Sequence, residues 1–327
     1  MIVTRLSRCV RLAAALTMVA ALNVAPALDA QPALIPLTVG TLSSDNSAAV
    51  YYAQELGLFK KAGLDVQISA LASGPVTAAA VTGGALDIGV ANVATIAVAR
   101  TRGVQLKFLF PASIAGDGTL TDQIAVAKDS PITNAAGLNG KTIGVNGLRD
   151  LQQLCAMAWM DKHGGDSKTV QFIEVPIPQM GTALQLHRID GGMPVEPFVT
   201  AQKDQLRSLG SVLDGVGPHY MVIGYLASDA WLATHADTAA RFVRAMREAS
   251  EWGNTHRTES AAMIERIMHV DASVGATMNR ATYGTDLDPA LLQPVLDAAL
   301  RYGILSRPVP VGDLIWRPAR VPGTTPQ

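Results

Sequence analysis

Apolar and polar positions along this chain follow two rhythms that take turns. LTVG at residues 37–40 is a short β-type run that ends in the polar loop TLSSDN. Helical spacing follows in SAAVYYAQELGLF (residues 47–59) and stops near Gly57 and Gly63. LDVQISAL (64–71) alternates with period two and carries β-branched residues, which predicts a second strand. Ser73-Gly74-Pro75 opens a helix, with Ser73 as its cap and Pro75 in its first turn, and Gly83-Gly84 ends it. ALDIGVA (85–91) predicts a third strand, TIAVARTRG (95–103) another helix, and VQLKFLF (104–110) a fourth strand.

The pattern then restarts. KTIGV (141–145) predicts a strand ending in NGLRD, and LQQLCAMAWMDKHGG (151–165) a helix. TVQFIEV (169–175) predicts a strand, PQMGTALQLHR (178–188) a helix, and IDGGMPV (189–195) a strand ending in EPF. Gly144 falls 104 residues after Gly40, and Phe172 falls 104 after Ile68. Asp190 and Gly192 fall 103 after Asp87 and Gly89. A constant offset through strand, helix, strand, helix and strand means one lobe built twice. Gly116-Asp117-Gly118 lies between the copies and suits a hinge or crossover. Tyr220–Leu226 reads as a returning strand, and helices over 238–251 and 290–302 are expected to pack back on the first lobe. Residues 307–327, rich in Pro, read as an extended tail. The expected organisation is a first lobe at 33–120 plus 229–320 and a second at 121–228.

Strands alternating with helices imply an α/β fold, each lobe a doubly wound, mostly parallel sheet with right-handed crossovers. In such sheets ligands sit beyond the carboxyl ends of the strands. Those ends give the candidate ligand-binding residues. In the first lobe they are Leu42, Ser43, Ser44, Asp45 and Asn46, then Ser73 and Gly74, then Asn92 and Val93. In the second they are Asn146, Leu148, Arg149 and Glu196.

Arg149 is the only cation in these loops: it either clamps a carboxylate or sulfonate bidentately or lies exposed beside Asp150. Ser73-Gly74 either aims free helix N-terminal amides at the cleft or simply caps its helix. Asp45 and Glu196, if they face inward, oppose a bare anion and suit an amine, amide or hydroxyl-bearing ligand; Glu196 otherwise sits on a lobe surface that docks a partner. Arg149 facing the helix-end donors favours an organic anion or zwitterion.

Of the 327 residues 49% are hydrophobic and 16% charged, which describes an ordered globular chain long enough for two cores. A formal charge of −1 without a Lys/Arg-rich run leaves no electrostatic footprint for nucleic acid. Arg5, Arg8 and Arg11, the apolar run 12–22 and small residues at Ala25, Ala27 and Ala30 read as a secretory signal peptide over residues 1–30, cleaved after Ala27 or Ala30. The mature chain keeps only Cys155, in a helical pattern beside Leu154 and Met157, where a buried structural thiol is expected. Catalytic constellations are missing: there is no GxSxG, no GxxxxGK[ST] and no HExxH, and the six His never fall at ligand spacing. The reading is therefore of a non-enzyme with neither cofactor nor metal, and a monomer.

At residues 53–66, AQELGLFKKAGLDV, the sequence resembles the nitrate/sulfonate/taurine-type and thiamine-precursor-type solute-binding proteins of ABC importers. Gly83–Gly89, Leu138–Gly144 and the pair Asp190 and Glu196-Pro197 extend the resemblance, which covers roughly residues 36–265. It implies a two-lobed type II periplasmic-binding fold with the ligand cleft between the lobes. It also implies periplasmic capture of a small solute and delivery to a membrane permease and its ATPase. Taurine-like zwitterions, nitrate, pyrimidines or thiamine precursors, and aromatic acids remain open as ligands. Two other readings stand beside transport. One is an enzyme like the pyrimidine-synthesising relatives, whose Cys-rich segment this chain lacks. The other is a ligand-sensing extracytoplasmic module.

Overall fold

The first strand of each lobe is fixed by the same pair of hydrogen bonds. Thr38 N donates to Asp87 Oδ2 at 2.8 Å, and Thr142 N donates to Asp190 Oδ2 at 2.9 Å. In return Asp87 N and Asp190 N donate to Thr38 O and Thr142 O, at 3.1 and 2.9 Å. The glycines repeat for a steric reason. A Cβ on Gly40 would lie 2.5 Å from Leu86 Cδ1, and one on Gly144 would lie 2.7 Å from Ile189 Cδ1. The strand must be bare wherever the side chain next to the Asp corner packs across it.

The computed structural model describes residues 33–317 apart from Asp117. The expected signal peptide at 1–30, the middle of the expected hinge and the end of the tail at 318–327 lie outside the described residues. Residues 34 onward form one unit. Its first part runs β1 (Ile35–Leu42), α1 (Ala49–Glu55), α2 (Leu58–Lys61), β2 (Leu64–Leu71), α3 (Gly74–Thr82), β3 (Gly89–Ala91), α4 (Val93–Thr101) and β4 (Leu106–Ala115). Next come β5 (Gln123–Ala127), β6 (Thr142–Val145), α5 (Leu151–Lys162), β7 (Gln171–Glu174), α6 (Met180–Gln185), β8 (Gly191–Gly192), α7 (Phe198–Ala201), β9 (Leu206–Ser211) and β10 (Tyr220–Ser228). α8 (Asp229–Thr234), α9 (Ala236–Thr255), α10 (Arg257–Met268), α11 (Ala272–Gly275) and α12 (Gln293–Arg301) complete the described chain. The helix expected over 47–59 is split at Gly57, whose φ of 69° breaks the helical path between α1 and α2.

Two sheets share one strand order. In the first, β2 pairs with β1, a bridge between Val39 and Ile88 joins β1 to the β3 edge, and β10 lies between β3 and β4. The second runs β7-β6-β8-β5-β9. The repeated strands pair parallel in each, while β10 and β5 run antiparallel to both neighbours. Four of the five strands in each sheet therefore run the same way, as the expected mostly parallel sheet requires, and the one reversed strand is the one each sheet receives from the chain as it crosses between lobes. β10 also corrects the expected boundary at 228: it lies in the first sheet, and its almost wholly buried run YMVIGYLAS suits a strand covered on both faces.

The terminal helices cover the first sheet. α9 packs on α1, α2 and β2, and α12 packs on α4 and also on α5 of the second lobe. Ala239, Phe242, Ala245, Met246, Ala249 and Gly253 give α9 one apolar stripe. Phe242 stacks on Phe59 with ring centres 5.7 Å apart, while Tyr225 meets its edge.

Candidate functional site

The carboxyl ends of β1, β3, β6 and β8 converge on a void of about 30 Å³. From the first lobe it is lined by Leu42, Ser44, Asn46, Gly74 and Asn92, with Val222 and Ile223 of β10. From the second come Asp122, Asn146, Leu151, Gln152, Cys155, Ile177, Met193, Val195, Val212 and Leu213. Such a volume holds roughly two water molecules at the 10–15 Å³ each needs, so a larger guest requires the lobes to part.

Amide-to-carboxylate bonds close the lobes over this void. Asn46 Nδ2 donates to Asp122 Oδ2 at 2.8 Å, and Thr121 Oγ1 donates to the same oxygen at 2.9 Å. Burial pushes the Asp122 carboxyl up to about 6, against those two hydrogen bonds, and the charge of Glu196 adds to the rise. Asn92 caps α4 by accepting from Thr95 N at 2.9 Å and extends its amide toward Asp150 Oδ2 at 3.4 Å. Asp150 caps α5: its Oδ1 accepts from Gln152 N and Gln153 N at 2.9 and 3.2 Å. Burial raises the Asp150 carboxyl to about 7 in spite of these donors. Asn146 N donates to Gln152 Oε1 at 2.8 Å, whereas Asn146 Oδ1 is buried and has no partner among the described residues.

Of the candidate residues, Leu42, Ser44, Asn46, Gly74, Asn92 and Asn146 line the void, and the others do not. Asp45 is fully buried behind it: Tyr283 Oη and Ala281 N each donate to it at 2.6 Å, and Arg280 Nε lies 3.3 Å from both oxygens. Glu196 Oε1 accepts from Asn279 N and Nδ2, each at 3.1 Å, and from Thr200 Oγ1 at 2.9 Å. Asp45 N also donates to Glu196 O at 2.9 Å. One strap, residues 279–283, thus holds both carboxylates, and neither lines the void. Ser43 is half-buried outside the void, and Val93 lies in the core. Ser73 makes no side-chain cap; its carbonyl accepts instead from Thr77 N and Oγ1, both at 3.0 Å.

Leu148 and Arg149 border a different cavity of about 490 Å³ along α3 and α4. The backbone at Arg149 is left-handed, φ 57°, and this turn sends the guanidinium to the carbonyl of Ile304. The two residues are exposed.

Sequence reasoning missed Asp122, because it precedes β5, a strand outside the repeat by which the others were found. It also left out Val212 and Leu213, just after β9, and Val222 and Ile223 of β10, which enter from the crossing between lobes and not from the repeat. Cys155 is the buried thiol expected; its Sγ lies 3.8 Å from Tyr220 Oη, and burial raises its pKa far above the usual thiol range. Among the described residues no group of three or more His, Cys, Asp or Glu could hold a metal, and no helix is long and apolar enough to cross a membrane.

No curated protein sequence matches the chain. Solved structures do. The alkanesulfonate-binding protein SsuA from Xanthomonas axonopodis pv. citri, bound to MOPS, superposes with a TM-score of 0.72 at 16% identity, covering 88% of this chain and 99% of that one. The ligand-binding component of an ABC-type import system from Staphylococcus aureus, with zinc bound, gives 0.74 at 16% identity over 86% and 96%. The periplasmic nitrate-binding protein NrtA from Synechocystis gives 0.69 at 15% identity over 84% and 83%. These likenesses establish the periplasmic-binding-protein fold expected from the repeat and the resemblance. Residues 44–260 match the model of the family described as NMT1/THI5 like, and the chain belongs to that family.

Proposed function

We infer that this chain is a periplasmic solute-binding protein that captures a small organic molecule between its lobes and hands it to an ABC permease and ATPase. The observation that carries this reading is the void at the strand ends, lined from both lobes and closed by Asn46–Asp122 and Asn92–Asp150. Structural relatives named for sulfonate binding, nitrate binding and ABC import support it. The positive leader and small-residue site of residues 1–30 support export. The chemistry of the void supports binding over catalysis. No His lines it, and Cys155, its one nucleophilic thiol, has a tyrosine hydroxyl and no base as its polar neighbour.

The test is a thermal-shift panel of sulfonates, nitrate, amines, pyrimidines and aromatic acids on the purified mature chain, followed by small-angle scattering with any hit. A cleft ligand at a hundredfold excess over its dissociation constant stabilises by about 2.7 kcal/mol and should change the radius of gyration as the lobes move about their hinge. Turnover of a panel member, or a hit that leaves the radius unchanged, would replace the transport reading. Gel filtration at the monomer position is expected with and without ligand.

A further inference from the structure

We propose that the cleft takes a small amine and not an oxyanion: a ligand that brings N–H donors to Asp122 and Asn146 and lays an apolar body against Leu151, Ile177, Val212 and Ile223. This rests on the reading of the void as the solute site.

Charge argues first. The residues lining the void include one carboxylate, Asp122, and no Lys, Arg or His. The cations that might have served are committed elsewhere, Arg149 to the carbonyl of Ile304 and Arg280 to Asp45. An anion entering this site would lose its hydration, meet a carboxylate and find no counter-charge.

The open acceptors of the void point the same way. With the lobes closed, the amides of Asn46 and Asn92 donate to Asp122 and Asp150. Asp150 accepts from two first-turn N–H groups of α5, Gln152 N and Gln153 N, and Asn92 accepts from Thr95 N of α4. At the start of α3, Pro75 has no N–H to offer. Two acceptors stand open. Asn146 Oδ1 is without a donor in a side chain more than nine-tenths buried, and Asp122 Oδ1 accepts no hydrogen bond among the described residues. Buried acceptors without donors cost free energy that a donating guest recovers.

The experiment compares matched ligands on the mature chain by calorimetry: isobutyl and benzyl bodies, each as the amine, the carboxylate and the sulfonate. The expected result is binding by an amine and none by its carboxylate or sulfonate partner. Asp122→Asn should weaken that binding by about tenfold to a hundredfold, the worth of one charge-assisted bond. Selectivity within the matched series needs no variant, so a poorly folding Asp122→Asn leaves the test intact; Asn146→Ala supplies a second one, with a smaller loss expected. Binding of a carboxylate or sulfonate, or failure of both amines, overturns the amine assignment. The transport reading is judged separately, since another solute that binds with lobe closure keeps it standing, whereas a full panel without a cleft ligand removes both.

Discussion

Asn46 Nδ2 lies 2.8 Å from Asp122 Oδ2, and this hydrogen bond joins the loop after the first strand of one lobe to the residue that opens β5 in the other. Asn46 and Asp122 are both buried, so removing the amide strands part of a carboxylate. Asn46→Ala is expected to cost about 1–3 kcal/mol of stability and to favour the open arrangement of the lobes. Urea denaturation reads the first effect and small-angle scattering the second. An unchanged midpoint would mean that Asp122 finds another donor at no cost.

The buried carboxyls also predict a pH dependence. Asp122 and Asp150 sit near 6 and 7 in the folded chain, against an ordinary value of 3.8. Their pKa values are raised, so the folded state binds protons that the unfolded state releases. The resulting stability is complete below about pH 4 and is lost as pH rises through 6 and 7. The charges of Glu196 and Glu174 add to the rise at Asp122 and Asp150 respectively. The ligand-free protein should therefore resist urea better at pH 5.5 than at pH 8, by on the order of 1–3 kcal/mol. Asp122→Asn should flatten part of that slope. A slope of opposite sign would contradict the buried, charged Asp122 described above.

Asp45 predicts a purely structural loss. Its side chain is fully buried and Arg280 is 10% exposed, so this ion pair is largely shielded from water. Asp45→Asn keeps the shape but leaves the guanidinium without its counter-charge, which costs about 3–5 kcal/mol for a buried pair. Replacing both partners, Asp45→Asn with Arg280→Met, should recover part of that loss in the same denaturation assay. A single variant as stable as the parent would show that water reaches Arg280.

What could be read in the sequence follows from what repeats. The Thr38–Asp87 and Thr142–Asp190 corners and the bare glycines recur at a fixed spacing, and so the strands and helices between them are legible without a structure. β5 and β9 escape because they lie outside the repeat read from the sequence, and β9 is half-exposed with weak alternation. In the site, the loop positions after β1, β3 and β6 were legible through Asn46, Asn92 and Asn146. Which way a side chain leaves its loop was not. Asp45 turns away because residues 279–283, more than 230 positions later, return to hold it. Nothing local to Asp45 announces that partner.

Arg149 gives the last prediction. Its position one residue before a helix cap, in a loop after a second-lobe strand, left two readings open, an anion clamp or an exposed residue beside Asp150. The left-handed backbone instead sends the side chain to Ile304 O, beside a cavity separate from the void at the strand ends. Arg149→Ala should leave the affinity of any cleft ligand within about twofold, as for substitutions away from a site. Alanine shares the reluctance of arginine for φ near +57°, so the backbone cost stays and only the bond to Ile304 is lost. Arg149→Gly, which removes that cost, should be the more stable of the two variants by about 1 kcal/mol. Calorimetry with the best ligand of the panel, and urea denaturation of both variants, measure the two effects. A tenfold loss of affinity in Arg149→Ala would return the guanidinium to the cleft and, with it, the case for an anionic ligand.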